Sequence, residues 1–112
     1  MTTAEMLREF HDFYGCTISP EIRETRKKLL REEYEEYVLA EEQNDVVEIA
    51  DALGDMVYVI YGTALVLGID LDAVIAEIHR SNMTKDRSLT PGGKVYKGAK
   101  YSPPDIRKVL YE

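Results

Sequence analysis

The segment EEYEEYVLAEEQNDVVEIADALGD, residues 32–55, holds ten carboxylates and no Lys or Arg. Its acids follow two patterns, Glu32-Glu33-x-x-Glu36 and Glu48-x-x-Asp51-x-x-x-Asp55. Spacings of three and four residues bring side chains onto one face of a helix. Two such faces turned toward each other would form a cage of oxygen ligands, which is the kind of site that Mg²⁺ prefers.

The segment spans the end of one predicted helix and most of another. Ser19-Pro20-Glu21 combines an N-cap serine, a proline suited to the first helical position and an acid in the first turn, and it predicts a long helix that ends near Glu42. Asp45 with Glu48 has the form of a capping box for the next helix, which runs to Leu67. That helix is apolar on nearly every side, so we expect it to be buried.

Two further helices flank this pair. The first is capped by Thr2 or Thr3 and ends at Gly15, while the fourth begins at Asp70 or Asp72. Turn residues dominate the rest of the chain, with a short helical piece after a Pro-Pro-Asp sequence. The sequence therefore predicts one all-α domain over residues 1–112, with a helical core over about 3–84 and a short irregular tail over 85–112.

Composition excludes several classes of protein. The net charge is −7, whereas affinity for the phosphate backbone of nucleic acid comes from Lys and Arg, so a nucleic acid polymer is not an expected partner. The N-terminal residues lack the apolar core of a signal peptide, and residues 56–69 are too short and too interrupted by glycine to span a bilayer. We expect a cytoplasmic protein that does not associate with membranes and that forms a homo-oligomer to complete a small core.

The acids do not sit where a solvated acidic face would place them. On a helical wheel Glu33 falls between Leu29 and Tyr37 inside the apolar arc, and Glu36 borders that arc. Two carboxylates about 4 Å apart repel by roughly 4 kcal/mol at an effective dielectric constant near 20. A divalent cation would remove that repulsion, so we expect these acids to bind one.

Several blocks of the sequence resemble the all-α nucleoside triphosphate pyrophosphohydrolases, a superfamily that includes MazG-like proteins, dimeric dUTPases and phosphoribosyl-ATP pyrophosphohydrolase. Residues 29–36 followed by Glu48-Ile49-Ala50-Asp51 resemble the family signature EExxE…ExxD. The resemblance continues through residues 51–64, 79–85 and 93–105, and so covers most of the chain from residue 25 onward.

This resemblance implies a four-helix core that assembles as a homodimer or homotetramer and binds Mg²⁺, with Mn²⁺ as a possible substitute. The residues that match the metal ligands of the family are Glu33, Glu36, Glu48 and Asp51. The matching catalytic acids are Glu32, Glu33 and Glu36, of which Glu32 corresponds to an acid that orients or activates water. In such enzymes water attacks the α-phosphorus of a nucleoside triphosphate and releases pyrophosphate.

A second register of the motif stays open. In it Asp55, which precedes Met-Val-Tyr, takes the place of the aspartate of the motif, but the partner glutamate would then fall on Ala52. Glu48 with Asp51 is therefore the preferred pair, and Asp55 is an additional ligand or a neighbour of the ligands.

The far side of a triphosphate requires cationic or polar groups. Asn82 and Lys85, three residues apart at the end of the fourth helix, match positions where the family contacts phosphate or sugar. Lys97 and Tyr101 in the glycine-rich tail are further candidates to bind substrate, from the same subunit or from a neighbouring one. The tail has no Walker spacing and is not a P-loop.

The sequence thus predicts Mg²⁺-dependent hydrolysis of a nucleoside triphosphate to the monophosphate and pyrophosphate. The SNMTK and GKVYKGAKYSPPD blocks look most like MazG-like proteins related to dimeric dUTPases, which favours dUTP or a modified deoxynucleotide and a role in nucleotide-pool sanitation. Two alternatives remain: hydrolysis of phosphoribosyl-ATP, and a non-catalytic helical oligomer whose acidic cleft binds a cation or a basic partner.

Overall fold

The computed structural model describes residues 1–16 and 19–112, apart from the side chains of residues 88 and 89. Within these residues the chain is largely helical and its two strands are short. The elements in chain order are α1 Thr3–Tyr14, α2 Pro20–Glu42, α3 Val46–Val66, α4 Leu71–Asn82, β1 Asp86–Leu89, β2 Val95–Tyr96 and α5 Ile106–Tyr111. The all-α prediction is confirmed, with four long helices where the sequence indicates them.

Each of the four long helices is preceded by a residue whose side chain accepts a hydrogen bond from a backbone N–H of the first turn. These N-cap residues are Thr2 for α1, Ser19 for α2, Asp45 for α3 and Asp70 for α4. Such a cap stabilises a helix by about 1 kcal/mol. The sequence left Thr2 or Thr3 and Asp70 or Asp72 open, and the structure selects Thr2 and Asp70.

The chain divides into two compact units, Met1–Ile69 and Asp70–Glu112. In the first unit α2 and α3 run antiparallel, because Arg26 near the start of α2 bonds to Thr63 near the end of α3. Helix α1 packs on α3, where the rings of Phe10 and Tyr58 meet edge to face with centroids 5.7 Å apart. The expectation of a single domain over residues 1–112 stays a prediction.

The buried side chains along the α2–α3 pair are small. Ala40 of α2 and Ala52 of α3 are each 3% exposed, and both line one cavity between the two helices. Small side chains let two helix axes approach closely, because no bulky group separates the backbones. This tight seam sets the distance between the side chains that α2 and α3 direct toward each other.

The expectation that α3 is buried on every side is wrong for this chain. Val46 and Val47 are 73% and 75% exposed, and Leu53 and Val57 are each 47% exposed. Within the first unit only α1 and α2 are available to cover α3, and two neighbours cannot enclose a helix that is apolar all round. An apolar strip of α3 therefore faces solvent.

Helix α3 is also the one helix in the described part of the chain that is long and apolar enough to cross a membrane, judged by length and composition alone. The helix nevertheless carries three carboxylates, Glu48, Asp51 and Asp55. Ionised side chains inside a bilayer are costly, and these acids face polar neighbours described below. The cytoplasmic location stays a prediction.

An arginine side chain joins α2 to α3. Nε of Arg26 donates to Oγ1 of Thr63 at 3.0 Å, and Nη2 donates to the carbonyl oxygen of Val59 at 2.6 Å. The guanidinium lies directly over Gly62, where an added Cβ would overlap Nη2 and approach Cζ to 3.0 Å. An alanine at position 62 would therefore displace the guanidinium of Arg26.

In the second unit, the strands β1 and β2 pair antiparallel, with Asp86 opposite Tyr96 and an irregularity before the pair of residues 89 and 95. The hairpin turns at Gly93, which has φ 83°. The sequence predicted an irregular tail here, and for these strands that prediction is wrong. Strands of four and two residues are too short for an alternation of period two to be recognised.

The short helical piece predicted after Pro103-Pro104-Asp105 is present as α5. Arg80 of α4 binds the segment that leads into α5. Its Nε and Nη2 donate to Glu77 at 2.7 and 2.9 Å, and Nη2 also donates to the carbonyl oxygen of Pro103 at 3.1 Å. The Asp105 N–H donates to Glu77 at 2.8 Å. The hydrogen bonds from Arg80 and from the Asp105 N–H lower the pKa of Glu77 to about 2. The Glu77 carboxylate therefore stays ionised at neutral and mildly acidic pH.

His11 of α1 is 5% exposed, and among the described residues its Nε2 has no hydrogen-bond partner. Burial, followed by the nearby charge of Arg26, lowers the pKa of His11 below its usual 6.5. The unfolded chain therefore binds a proton at His11 more readily than the folded chain does. The stability that His11 contributes as a neutral group is present above pH 6.5 and is lost as the pH falls below it.

When the pH is lowered from 7.5 to 5.5, we expect the free energy of unfolding to decrease less in His11→Leu than in the parent protein. Urea unfolding at both pH values measures the difference, and the carboxylates common to both proteins cancel in the comparison. Equal losses in the two proteins would contradict the assignment of acid sensitivity to His11.

Candidate metal and substrate site

Three carboxylates meet across the seam between α2 and α3. One oxygen each of Glu33, Glu36 and Asp55 lies within 4.8 Å of the other two. Glu33 and Glu36 are three residues apart and so share a face of α2, and the antiparallel register brings Asp55 of α3 opposite them. The structure thus brings together two of the predicted ligands with the residue that the second register of the motif proposed.

The electrostatics of this cluster are unfavourable without a cation. Burial, followed by the contact with Glu36 and the charges of Asp55 and Asp51, raises the pKa of Glu33. Burial and the charges of Asp51 and Glu36 likewise raise the pKa of Asp55. Both shifts have the same cause, since these acids are partly removed from water and face other acids.

Glu48 and Asp51, the other two predicted ligands, lie beside this cluster. With Glu36 they line a cavity of about 120 Å³ between the end of α2 and the start of α3. Glu36 is the residue common to the cluster and to this cavity. The five acids therefore form one continuous acidic site with Glu36 at its centre.

The residues present fit a divalent cation with oxygen ligands. Oε2 of Glu33 is buried and, within residues 1–16 and 19–112, has no hydrogen-bond donor. A buried carboxylate oxygen without a donor is costly, and a cation with hard character would satisfy it. Mg²⁺ and Mn²⁺ both accept carboxylate and water ligands, so the donor set suits either ion.

The remaining predicted residues lie outside the carboxylate cluster. Glu32 is exposed on α2 and is part of neither the cluster nor the adjoining cavity. Asn82 is exposed at the end of α4, and Lys85 follows it, half-buried. Lys97 lies 5.2 Å above the ring centroid of Tyr101. Asn82, Lys85, Lys97 and Tyr101 belong to the second unit, and their contact with substrate stays a prediction.

The sequence did not single out Arg26, Thr63 or Gly62, which lock α2 against α3. A signal for them does exist. Arg26 precedes Glu33 by seven residues, and Gly62 follows Asp55 by seven. Residues seven apart on a helix lie on nearly the same face, so in an antiparallel pair Arg26 meets Gly62 wherever Glu33 meets Asp55.

The family model for phosphoribosyl-ATP pyrophosphohydrolase matches residues 7–82. The match includes every acid of the site and all of α2, α3 and α4. The helical architecture agrees with that of the all-α nucleotide pyrophosphohydrolases. The chain belongs to the phosphoribosyl-ATP pyrophosphohydrolase family within that MazG-like superfamily.

A viral protein is also similar to this chain. The uncharacterized protein L479 of Acanthamoeba polyphaga mimivirus is 44% identical over 54 residues, which are 48% of this chain and 22% of the viral protein. The chain therefore covers about a fifth of the length of that relative, whose name states no activity.

We expect Mg²⁺ or Mn²⁺ to raise the melting temperature of the protein. A ligand at a hundred times its Kd stabilises the folded state by about 2.7 kcal/mol, which is on the order of 10 °C for a chain of this size. Differential scanning fluorimetry with and without EDTA measures the shift. NaCl at the same ionic strength is the control. An equal shift of the melting temperature with NaCl would contradict specific binding of the divalent cation.

Proposed function

We propose that the protein is a metal-dependent nucleotide pyrophosphohydrolase that converts a nucleoside triphosphate to the monophosphate and pyrophosphate. The observation that carries the proposal is the meeting of Glu33, Glu36 and Asp55 across the α2–α3 seam, in a chain of this enzyme family. Glu48 and Asp51 beside them complete the ligand set that the sequence indicates.

In this proposal Glu33, Glu36, Glu48 and Asp51 hold Mg²⁺, and Asp55 is an additional ligand. When bound, the ion polarises phosphoryl oxygens and acidifies a water molecule. Glu33 and Glu36 would position a water molecule for attack at the α-phosphorus, and the exposed Glu32 would accept its proton or orient it. The bond between the α-phosphorus and the bridging oxygen breaks, so that pyrophosphate leaves.

For the substrate we propose a deoxynucleoside triphosphate, with dUTP or a modified dNTP favoured and nucleotide-pool sanitation as the role. Asn82, Lys85, Lys97 and Tyr101 are the proposed contacts to phosphate and sugar. Lys97 and Tyr101 already contact each other, and Ser81 donates to the Tyr101 hydroxyl at 3.5 Å. The tyrosine ring therefore has support from α4 within its own unit.

The second candidate substrate is phosphoribosyl-ATP, which the description of the matching family names. The reaction is the same, since water attacks the α-phosphorus and pyrophosphate leaves. Only the pocket beyond the triphosphate differs between the two proposals, so the carboxylate site does not distinguish them.

We also propose that the active form is a homodimer or homotetramer. The exposed strip of α3 and the aromatic residues of α1 support this, since Phe13 is 80% exposed and Phe10 is 41% exposed. Contiguous apolar surface of this kind is typical of interfaces. Size-exclusion chromatography with light scattering measures the assembly directly.

The proposed function is tested by incubating the protein with each NTP and dNTP and with phosphoribosyl-ATP, in Mg²⁺ and in EDTA. Anion-exchange chromatography identifies the products. We expect monophosphate and pyrophosphate, or phosphoribosyl-AMP and pyrophosphate, only with the metal. Diphosphate with inorganic phosphate, or no turnover of any substrate, would contradict the proposal and favour a non-catalytic cation-binding protein.

A further inference from the structure

Arg26 is a half-buried cation whose described hydrogen-bond partners are both neutral. Its two hydrogen bonds go to the Thr63 hydroxyl and the Val59 carbonyl, and in the described part of the chain no carboxylate forms an ion pair with it. Burial lowers the pKa of Arg26, which reflects the cost of holding the charge away from water. A buried cation is normally matched by an anion.

The guanidinium borders a cavity of about 550 Å³. Three of its lining residues are cations, Arg23, Arg26 and Lys27, and one is an acid, Glu24. Glu24 is already paired with Lys27 at 2.7 Å. The lining therefore carries two positive charges in excess, in a chain whose net charge is −7.

Other groups offset this excess only in part. The cavity includes Val66 and Leu67 at the end of α3, and a helix C-terminus carries roughly half a negative charge. His11 lies close enough for the charge of Arg26 to lower the pKa of His11, so that neighbour is not an anion. The thiol of Cys16 acts in the opposite direction on Arg26, but its effect on the pKa of Arg26 is smaller than that of burial. The cavity remains positive.

We propose that this cavity is a binding site for an anion of the phosphate class, with Arg26 as its central ligand. Guanidinium groups bind phosphate oxygens through charge-assisted, often bidentate hydrogen bonds, and Arg26 is already oriented by Thr63 and Val59. The exposed side chain of Arg23 provides further donors at the same cavity, whereas the Thr63 hydroxyl already donates to the carbonyl oxygen of Val59 at 3.1 Å.

This site is separate from the acidic one. The cavity shares no residue with the carboxylate cluster or with the cavity of Glu36, Glu48 and Asp51. Seven residues separate Arg26 from Glu33 on α2, which is about 10 Å of helix. The occupant is either a free inorganic anion such as the pyrophosphate product, or the phosphoryl group of a nucleotide. Only this choice of occupants rests on the proposed function.

The test is titration of pyrophosphate into the protein by calorimetry in EDTA. Without metal the acidic site repels pyrophosphate, and the effect of the Arg26 and Arg23 variants separates binding at the positive cavity from binding at the proposed phosphate contacts Lys85 and Lys97. We expect saturable binding that Arg26→Met weakens by at least about tenfold, as loss of a charge-assisted contact predicts. Lys28→Met is the matched control, because Lys28 is exposed on the same helix and does not line the cavity.

Arg23→Met is a second variant for the case in which Arg26→Met does not fold, since Arg23 is exposed and, among residues 1–16 and 19–112, its side chain has no described hydrogen bond to α3. We expect it to weaken binding by about threefold to tenfold. A parallel titration with a nucleoside monophosphate identifies the source of the anion: tighter binding than pyrophosphate assigns the cavity to a nucleotide, and weaker binding assigns it to an inorganic anion.

Two results would overturn the proposal: absence of binding in EDTA, or binding that the Arg23 and Arg26 variants leave unchanged. Glu36→Gln separates this proposal from the enzymatic one. That variant should bind pyrophosphate in EDTA like the parent protein, whether or not the parent protein hydrolyses nucleotides.

Discussion

Glu36→Gln is expected to lose hydrolysis by on the order of a thousandfold while keeping the helical content of the parent protein. Glutamine has nearly the same shape as glutamate but no charge, so it cannot bind a divalent cation with the same strength. Glu36 is also the acid shared by the carboxylate cluster and the adjoining cavity. Removing its charge weakens both parts of the site at once.

The same substitution should leave the metal-free protein at least as stable as the parent. The charge of Glu36 raises the pKa of both Glu33 and Asp55, which means that it disfavours their ionised forms. Glutamine removes that repulsion. We therefore expect an unchanged or higher melting temperature in EDTA and a smaller increase on addition of Mg²⁺.

Glu35→Gln is the matched control for this experiment. Glu35 is exposed on α2 next to Glu36 and is not a member of the cluster, so its loss should change the rate by less than about twofold. Activity retained in Glu36→Gln would contradict the assigned site. Loss of cation binding in a protein that hydrolyses none of the tested nucleotides would instead favour the non-catalytic alternative.

Gly62→Ala is expected to destabilise the protein by about 1–2 kcal/mol, although alanine is the better helix former by about 1 kcal/mol. An alanine Cβ at this position would overlap the guanidinium of Arg26. Overpacking typically costs 1–3 kcal/mol, and displacement of Arg26 would also break its hydrogen bonds to Val59 and Thr63. Thermal unfolding should show a decrease on the order of 10 °C.

Gly54→Ala provides the matched control on the same helix. An added Cβ at Gly54 meets nothing within 4 Å among the described residues, so the change should stabilise α3 by roughly 0.5–1 kcal/mol. The two substitutions are chemically identical and should shift the melting temperature in opposite directions. A Gly62→Ala protein as stable as Gly54→Ala would show that the contact between Arg26 and α3 does not limit this packing.

The helices of this protein were predictable because their signals are local. Ser19 and Asp45 cap their helices through residues three positions away, and such spacing is visible in the sequence. The hairpin of residues 86–96 was not predicted, since a pair of very short strands is defined by the partner strand and leaves little pattern of its own.

The site was predictable to the extent that it depends on one helix. Glu33 and Glu36 follow from their spacing on α2, whereas the position of Asp55 depends on how far α3 slides along α2. The preferred pair Glu48 and Asp51 came from a resemblance, and their role as ligands stays a prediction. The contact between Arg26 and Gly62 depends on the same register of α3 along α2. It was not predicted, because that register is not visible in either helix alone.

The alanine seam restricts how this protein can change during evolution. Ala40 and Ala52 are nearly fully buried, and a larger side chain at either position would press on the facing helix or fill the cavity that Glu36, Glu48 and Asp51 line. Separation by even a fraction of an ångström would draw Asp55 away from Glu33 and Glu36. Substitutions that place larger side chains between α2 and α3 should therefore reduce cation affinity before they unfold the chain. The first effect of sequence changes in this part of the core would be a higher metal concentration needed for binding.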